Sequence, residues 1–211
     1  METQEQEVEA FKSWWKTNGK VVVAGIVIGL GGVVGWNWWQ TQTERAAEAA
    51  SALYTEVVNA ADAADSGTAL SAAKRMLEDH PKSGYAALAA LVSAKSAMSA
   101  GQVDEAVGQL RWVVSNSSQA QVTDLARLRL ARVLRSAGDY DPALSELANV
   151  EAASFAPLVA ELRGDIAHDQ KNMQAAIESY EAALAAPGVD ASTAQRVGIK
   201  LGDLGVVVSA Q

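Results

Sequence analysis

Cysteine is absent from this sequence of 211 residues, and histidine occurs only twice. The lack of thiols excludes disulfides, thiol catalysis and cysteine-based metal sites. The two histidines, His80 and His168, fall in different helical units, so no catalytic triad or zinc site has convergent ligands at a recognisable spacing. We interpret both as surface residues and expect a protein that is not an enzyme and needs no cofactor or metal. An enzyme with a site that the sequence does not reveal is the alternative.

Positive charge is also scarce: the chain has 17 Lys and Arg residues and 25 Asp and Glu residues, which gives a net charge of −8. Binding to a nucleic-acid backbone requires a basic surface, so we expect no nucleic acid among the partners. Aromatic residues make up only 6% of the chain, whereas alanine is abundant. This composition favours closely stacked helices over a β-sheet.

One long apolar run, residues 21–39, contains no charged residue. About 20 apolar residues in a helix cross the hydrocarbon core of a bilayer, so the run predicts a transmembrane helix with lipid as its surroundings. Tryptophans flank the run on both sides, as is typical of the headgroup layers: Trp14, Trp15, Trp36, Trp38 and Trp39. Two alternatives are a buried core helix of a soluble domain and a signal peptide cleaved near Ala47.

Basic residues near the run predict its orientation. Lys12, Lys16 and Lys20 precede the run, and only Arg45 follows it closely. Because lysine and arginine favour the cytoplasmic side, we expect residues 1–20 in the cytoplasm and residues 40–211 on the opposite side of the membrane.

Glycines recur four residues apart within the run. Gly25 and Gly29 form one pair, and Gly31 and Gly35 form a second. Small residues at this spacing let another membrane helix approach closely. We therefore predict that the span packs against a second helix, either of another copy of the chain or of a partner. A purely structural homo-oligomer held by these glycines is a further alternative.

The remainder of the chain is predicted to form helices over residues 40–64, 68–79, 86–100, 103–114, 122–137, 142–152, 156–169, 173–186 and 192–204, followed by a tail. Ala69, Ala106, Ala143 and Ala176 occupy equivalent places, with separations of 37, 37 and 33 residues. Two helices per repeat of this length indicate a helical solenoid. We predict an all-α fold in which about four degenerate tetratricopeptide-like helix pairs and a C-terminal helix follow the span. An ordinary alanine-rich bundle is the alternative.

The fourth repeat shows the packing pattern most clearly. Small residues at Gly164, Ala176 and Ala183 are expected to let its two helices cross closely, with Tyr180 filling the adjacent gap. This combination is typical of tetratricopeptide repeats.

Two groups of residues are candidates for partner binding. Arg129, Arg132 and Arg135 lie three residues apart and share a helix face, where they could bind an acidic segment or a chain terminus. The alternative is a solvated face paired with nearby carboxylates. Trp112, with its neighbour Arg111, lies off the apolar stripe of its helix and could anchor a partner. Alternatively, Trp112 packs against the next repeat.

Several motifs together resemble a known bacterial family. They include Trp14-Trp15-Lys16 before the span, the sequence LRWV at 110–113, LARLRLARVL at 125–134, GDYD at 138–141 and ELRGD at 161–165. With the single span and the degenerate repeats, they resemble the YfgM family, the ancillary subunits of the SecYEG translocon. Gly198 and Gly202 depart from the pattern because they weaken the last helix.

The resemblance implies a single-pass protein of the bacterial inner membrane with its repeat domain in the periplasm. It implies Sec translocon subunits and a membrane-anchored periplasmic chaperone as partners. The implied function is an adaptor that helps to pass exported polypeptides to periplasmic chaperones. The alternative function is a periplasmic scaffold for the machinery that assembles the cell wall or outer membrane.

Overall fold

The structure is a computed structural model that describes residues 2–206, without the side chains of residues 2–7, 10 and 26. Most of the predicted tail, residues 207–211, lies outside the described residues. Within the described part, every regular element is helical, which confirms the all-α prediction. The helices are α1 Glu2–Asp62, α2 Ser66–Asp79, α3 Gly84–Ser99, α4 Val103–Asn116, α5 Ala120–Ala137, α6 Tyr140–Ala148, α7 Ala156–Asp169, α8 Met173–Ala185 and α9 Ala191–Asp203, with a 3-10 turn at Ala153–Phe155.

The chain divides into two compact units, the first ending at Ala49 and the second beginning at Ala50. The first unit contains most of α1. Among the described residues, one helical segment is long and apolar enough to cross a membrane; it lies within Phe11–Asp62 and reaches a mean hydropathy of 1.8. Because α1 continues without a break through both ends of the predicted span, its helical bounds do not locate the membrane. The limits at residues 21 and 39 stay a prediction.

The second unit is built from helix pairs, and neighbouring helices contact each other in chain order from α2 to α9. The four repeat alanines, Ala69, Ala106, Ala143 and Ala176, are all completely buried. An alanine at each of these positions lets the paired helices approach closely, because it adds only a methyl group to the interface. The buried alanines thus account for the repeat that the sequence shows.

Polar residues begin four of these helices. The sequence predicts Thr68 as the cap of α2, but the cap is Asp65, whose carboxylate accepts a hydrogen bond of 3.0 Å from the Thr68 backbone N–H. Ser83, Asn172 and Asp190 cap α3, α8 and α9 in the same way. Each cap satisfies a backbone donor that has no partner inside its helix.

The turns between paired helices use the left-handed backbone conformation. Gly101 has a φ of 74° and Gly138 a φ of 87°, and Lys171 takes the equivalent place in the fourth repeat with a φ of 65°. Glycine adopts this conformation without the steric cost that a β-carbon adds. The recurrence of glycine at this place therefore follows from the backbone geometry of the turn.

One helix is shorter than the sequence indicates. The pattern predicts a helix over 142–152, whereas the helix observed is Tyr140–Ala148. The backbone N–H groups of Glu151 and Ala152 donate to the carboxylate of Asp124, at 3.2 and 2.9 Å, rather than to helical carbonyls. Asp124 belongs to α5 and is only 4% exposed. A tertiary hydrogen bond thus replaces the last turn that local propensity favours.

Candidate functional site

The first helices of the second, third and fourth repeats, α3, α5 and α7, carry the residues of interest. Helix α5 contacts α7, and α7 contacts α9. Side chains on α5 therefore have neighbours from other repeats as well as from their own. This arrangement separates the three arginines that the sequence places on one face of α5.

A groove of about 390 Å³ lies between α3 and α5 and contains two of these arginines. We call it the basic groove, and its lining residues are Leu91, Ala94, Lys95, Met98, Ser99, Leu110, Arg129, Arg132, Val133 and Ser136. Arg129 is half-buried and Arg132 is exposed. In the described part of the chain, neither guanidinium has a carboxylate within 4.0 Å. The groove thus combines an apolar floor with two guanidinium groups that form no ion pair within the described residues.

Arg135 differs from Arg129 and Arg132 because it forms ion pairs with α7. Its guanidinium donates to Asp169 at 2.6 Å and to Asp165 at 3.0 Å. For Arg135, the alternative interpretation of a face paired with local carboxylates describes the contacts. Partner binding by all three arginines stays a prediction, and the structure brings only Arg129 and Arg132 together in one cleft.

Asp165 is shared with α9, which also binds a third carboxylate of α7, Glu161. Arg196 and Lys200 each lie 2.7 Å from Glu161, and Lys200 lies 2.6 Å from Asp165. The Tyr180 hydroxyl donates to Asp165 at 2.9 Å. We call Arg135, Glu161, Asp165, Asp169, Arg196 and Lys200 the ion-pair network. It contains three cations and three anions, so its formal charge is zero.

The ion-pair network lowers the pKa values of Glu161 and Asp169. Burial alone would raise the pKa of Glu161, but hydrogen bonds from Arg196 and Lys200, together with their charges, lower it below its ordinary value. A hydrogen bond from Arg135 lowers the pKa of Asp169, and burial opposes this shift. Both carboxylates are therefore held in the charged form that the network requires.

Arg129 has the opposite electrostatic environment. Burial lowers the pKa of Arg129, and the positive charge of Arg132 lowers it further. Arginine remains charged at neutral pH in spite of such shifts. The direction shows that the surroundings of Arg129 disfavour its charge, because two like charges are held close together without a carboxylate.

Trp112 is half-buried at the meeting point of two hydrophobic clusters of the repeat domain. Its ring also borders a second cleft of about 410 Å³, which is lined by Pro81, Lys82, Ser83, Gly84, Ala87, Trp112, Asn116, Ser117, Ser118 and Gln119. Arg111 is exposed on the same helix. Trp112 thus packs partly against the preceding repeat, and its role as a partner anchor stays a prediction.

The glycines of the apolar run lie on open helix surface. A β-carbon added at Gly25, Gly29, Gly31 or Gly35 would have no neighbouring heavy atom within 4 Å. This space is available to a second helix, and contact with one stays a prediction.

The two histidines lie apart and are both half-buried. His80 ends α2, where its backbone N–H donates to the Met76 carbonyl, and His168 lies in the last turn of α7. Within residues 2–206, no group of three His, Asp or Glu side chains is arranged to hold a metal ion.

Sequence reasoning did not find several residues that shape these sites. Lys95 faces the two arginines from another helix, and Glu161 binds cations 35 and 39 residues further along the chain. Glu161 is 5% exposed although it is ionisable. The sequence does not indicate which cations Glu161 meets.

Residues 12–206 match a family described as the tetratricopeptide repeat-like domain. The chain is similar to the ancillary SecYEG translocon subunit of Haemophilus influenzae, with 33% identity over 180 residues that cover 85% of this chain and 88% of that protein. The subunit of the same name from Neisseria gonorrhoeae is 32% identical over 182 residues, or 86% and 87% of the two chains. That of Escherichia coli is 30% identical over 181 residues, again 86% and 87%.

Proposed function

The chain belongs to the tetratricopeptide repeat-like family of ancillary SecYEG translocon subunits, and from this premise we propose that it is a membrane-anchored adaptor associated with the Sec translocon. The observation that carries the proposal is the similarity to three proteins of that name over about 85% of the chain. The family is of a non-catalytic kind, so we propose protein binding, and not catalysis, as the activity.

The helical repeats supply a physical basis for this activity. Stacked helix pairs present grooves between their helices, and the basic groove and the Trp112 cleft are two such grooves in the described repeat domain. Grooves of this kind accept a segment of another polypeptide. The proposed mechanism is presentation: the repeat domain holds a partner or an emerging chain close to the translocon and helps to pass it to a periplasmic chaperone.

The apolar segment contributes by confinement. Attachment to the same membrane as the translocon raises the effective concentration of the repeat domain near its partners, so weak contacts suffice. The lysines before the apolar run support an orientation with the N-terminus in the cytoplasm and the repeat domain in the periplasm. A topology reporter fused after the last residue tests this orientation, since a cytoplasmic signal would reverse it.

Co-purification from bacterial cells tests the translocon association. The tagged full chain is cross-linked in intact cells and extracted in mild detergent. We expect translocon subunits and a membrane-anchored chaperone among the captured proteins. Recovery of cell-wall synthases without translocon subunits would contradict the proposal and favour the envelope scaffold.

A glycine substitution tests whether the span itself contacts the translocon. Gly29→Leu fills the open surface of a glycine pair and keeps the span apolar, so we expect weaker capture of translocon subunits. Val34→Leu is the control, because Val34 is exposed and lies on the opposite side of the helix from Gly25 and Gly29. Equal capture by the two variants would exclude the glycine pairs from the contact.

A further inference from the structure

We propose that the basic groove binds an extended polypeptide segment that carries carboxylates next to apolar side chains. The inference rests on the proposed function of a protein-binding adaptor and adds the chemical class of the ligand. It is carried by three cations that line one apolar floor in an acidic protein and that form no ion pair in the described part of the chain.

The floor of the basic groove is apolar and large enough for side chains of a peptide. Leu91, Leu110 and Val133 form its base, and each is at most 6% exposed, while Met98 is half-buried. The groove volume of about 390 Å³ lies near the lower end of the range for ligand pockets, roughly 300–1,000 Å³. This volume suits one or two apolar side chains of a bound segment. Methionine adapts to side chains of different shape, which favours varied sequences.

The rim of the groove is positive and unneutralised. Lys95 approaches from α3, and Arg129 and Arg132 approach from α5. In the part of the chain that the structure describes, none of the three side chains forms an ion pair. A partly buried charge without a partner is unfavourable, and neighbouring like charges add to the cost. A carboxylate of a bound ligand would remove both penalties.

No carboxylate is among the lining residues of the basic groove, although Arg132 also borders a neighbouring cleft that Glu161 and Asp165 line. The chain has 25 acidic residues, and the adjacent ion-pair network places three of them on three cations. Arg135 is neutralised there, although it lies only one helical turn from Arg132. The two arginines of the basic groove therefore remain available, while the network that joins α5, α7 and α9 is already balanced.

Carboxylates and an apolar side chain on one ligand are the chemistry that complements this surface. Arginine binds carboxylates through two parallel hydrogen bonds, and the apolar floor excludes water from beside them. An extended chain places alternate side chains on opposite faces, so acidic residues can meet the rim while apolar residues enter the floor. We therefore choose a polypeptide segment as the occupant.

A labelled peptide that alternates glutamate and leucine is the probe, and its binding to the full chain in neutral detergent is followed by fluorescence anisotropy. Two matched peptides replace either every glutamate with glutamine or every leucine with serine. We expect the parent peptide to bind and both replacements to weaken binding at least about tenfold, since a hydrogen bond to a charged group and the burial of a leucine side chain each contribute about that factor. Equal binding of the glutamine peptide would overturn the inference.

Variants of the protein locate the binding. Arg132→Gln is expected to weaken binding about tenfold, and Arg132→Lys, which keeps the charge, is expected to lose less. Arg163→Gln is the matched control, because Arg163 is exposed on α7 outside the groove. An equal loss in Arg163→Gln would show a general charge effect and overturn the inference.

A stability measurement excludes a purely structural role. Arg132→Gln removes the repulsion of Arg129 and breaks no ion pair in the described chain, so its unfolding midpoint should equal or exceed that of the parent. If Arg132→Gln unfolds, the assignment of Arg132 to ligand binding is overturned. Lys95→Gln, at the exposed rim on α3, tests the basic groove independently of Arg132.

The outcome is separable from the test of translocon association. Failure of every peptide to bind, with translocon subunits still captured, would overturn the ligand class alone. Loss of capture with peptide binding intact would overturn the translocon association alone. If a second copy occupies the groove, the mass of the full chain in detergent will depend on Arg132, which also overturns the inference.

Discussion

Replacing Gly164 with alanine is expected to destabilise the repeat domain, although this change normally strengthens a helix. Gly164 lies on α7, and a β-carbon there would be 2.5 Å from the Cδ1 and Cε1 atoms of the Tyr180 ring. Non-bonded carbon atoms prefer separations of about 3.5–4.0 Å, so the ring has to move. Tyr180 is only 3% exposed and its hydroxyl donates to Asp165, so movement disturbs both the packing and a hydrogen bond.

The magnitude follows from three contributions. Alanine in place of glycine gains about 1 kcal/mol of helix propensity. Overpacking a well-filled interior costs about 1–3 kcal/mol. Loss of the Tyr180 hydrogen bond to a charged carboxylate costs about 1.5–3 kcal/mol. We therefore expect Gly164→Ala to lower the free energy of unfolding by about 1.5–5 kcal/mol.

Urea unfolding of the full chain in mild detergent, followed by far-UV circular dichroism, measures this change. Gly202→Ala on α9 is the matched control, because a β-carbon there meets nothing within 4 Å. The free energy of unfolding of this control should rise by about 0.5–1 kcal/mol, because alanine has a higher helix propensity than glycine. Parent-like or higher stability of Gly164→Ala would refute the reasoning.

A double-mutant cycle identifies the cause. In a Tyr180→Ala background the ring is absent. Gly164→Ala should then no longer destabilise the repeat domain and should raise the free energy of unfolding by about 1 kcal/mol. If Gly164→Ala remains destabilising without the ring, the cost comes from another source than the contact with Tyr180.

Three further changes test the packing of the repeat domain. Because the pKa of Glu161 is lowered in the folded state, its contribution to stability is present above the unfolded pKa of about 4.3 and is lost as pH falls through the folded pKa. Urea unfolding across pH should show this loss of stability at acid pH in the parent and a smaller loss in Glu161→Gln. Asp124→Ala should lower the free energy of unfolding by about 1–3 kcal/mol and speed hydrogen exchange of the two backbone amides that donate to Asp124. Unchanged exchange would contradict the role of Asp124 in holding these amides. Gly138→Ala should lower the free energy of unfolding by about 1–2 kcal/mol, because the φ of Gly138 is 87°. Gly108→Ala, on open helix surface, should instead raise the thermal midpoint.

The regular part of the fold is predictable because its causes are local or periodic. Glycine at the left-handed turns and alanine at the crossings recur at fixed spacing, so the sequence indicates which helices pair. The all-α solenoid follows from this pattern, whereas the family is indicated by motifs such as LARLRLARVL at 125–134 and ELRGD at 161–165. The bounds of α6 do not, because the hydrogen bonds of Asp124 come from another helix and outweigh local propensity.

The binding surface is less predictable because it depends on which side chains from different repeats meet. Arg129, Arg132 and Arg135 are equivalent in their spacing along α5. Only the packing of α7 beside α5 places Asp165 and Asp169 on one of them. Lys95 likewise belongs to the groove because α3 faces α5. Partners 30 or more residues apart are set by the offset between helices, and helical periodicity alone does not specify this offset.

The charges of the chain predict an unusual dependence of peptide binding on salt. The net charge of −8 repels an acidic peptide at long range, whereas the three cations of the basic groove attract it at short range. Screening acts beyond about 30 Å at 0.01 M salt, beyond about 8 Å at 0.15 M and beyond about 3 Å at 1 M. Moderate salt therefore removes the repulsion first and leaves the contacts at the rim.

We expect the affinity for the glutamate–leucine peptide to rise between about 0.01 and 0.15 M salt and to fall towards 1 M, because only the strongest screening reaches the contacts at the rim. Arg132→Gln should lose most of the fall at high salt and keep the rise at low salt, since it alters the local attraction and hardly changes the net charge. Arg163→Gln should keep both limbs of the curve. A steady decrease from the lowest salt would mean that long-range attraction governs binding, which an acidic chain does not provide, and the ligand would then bind outside the basic groove.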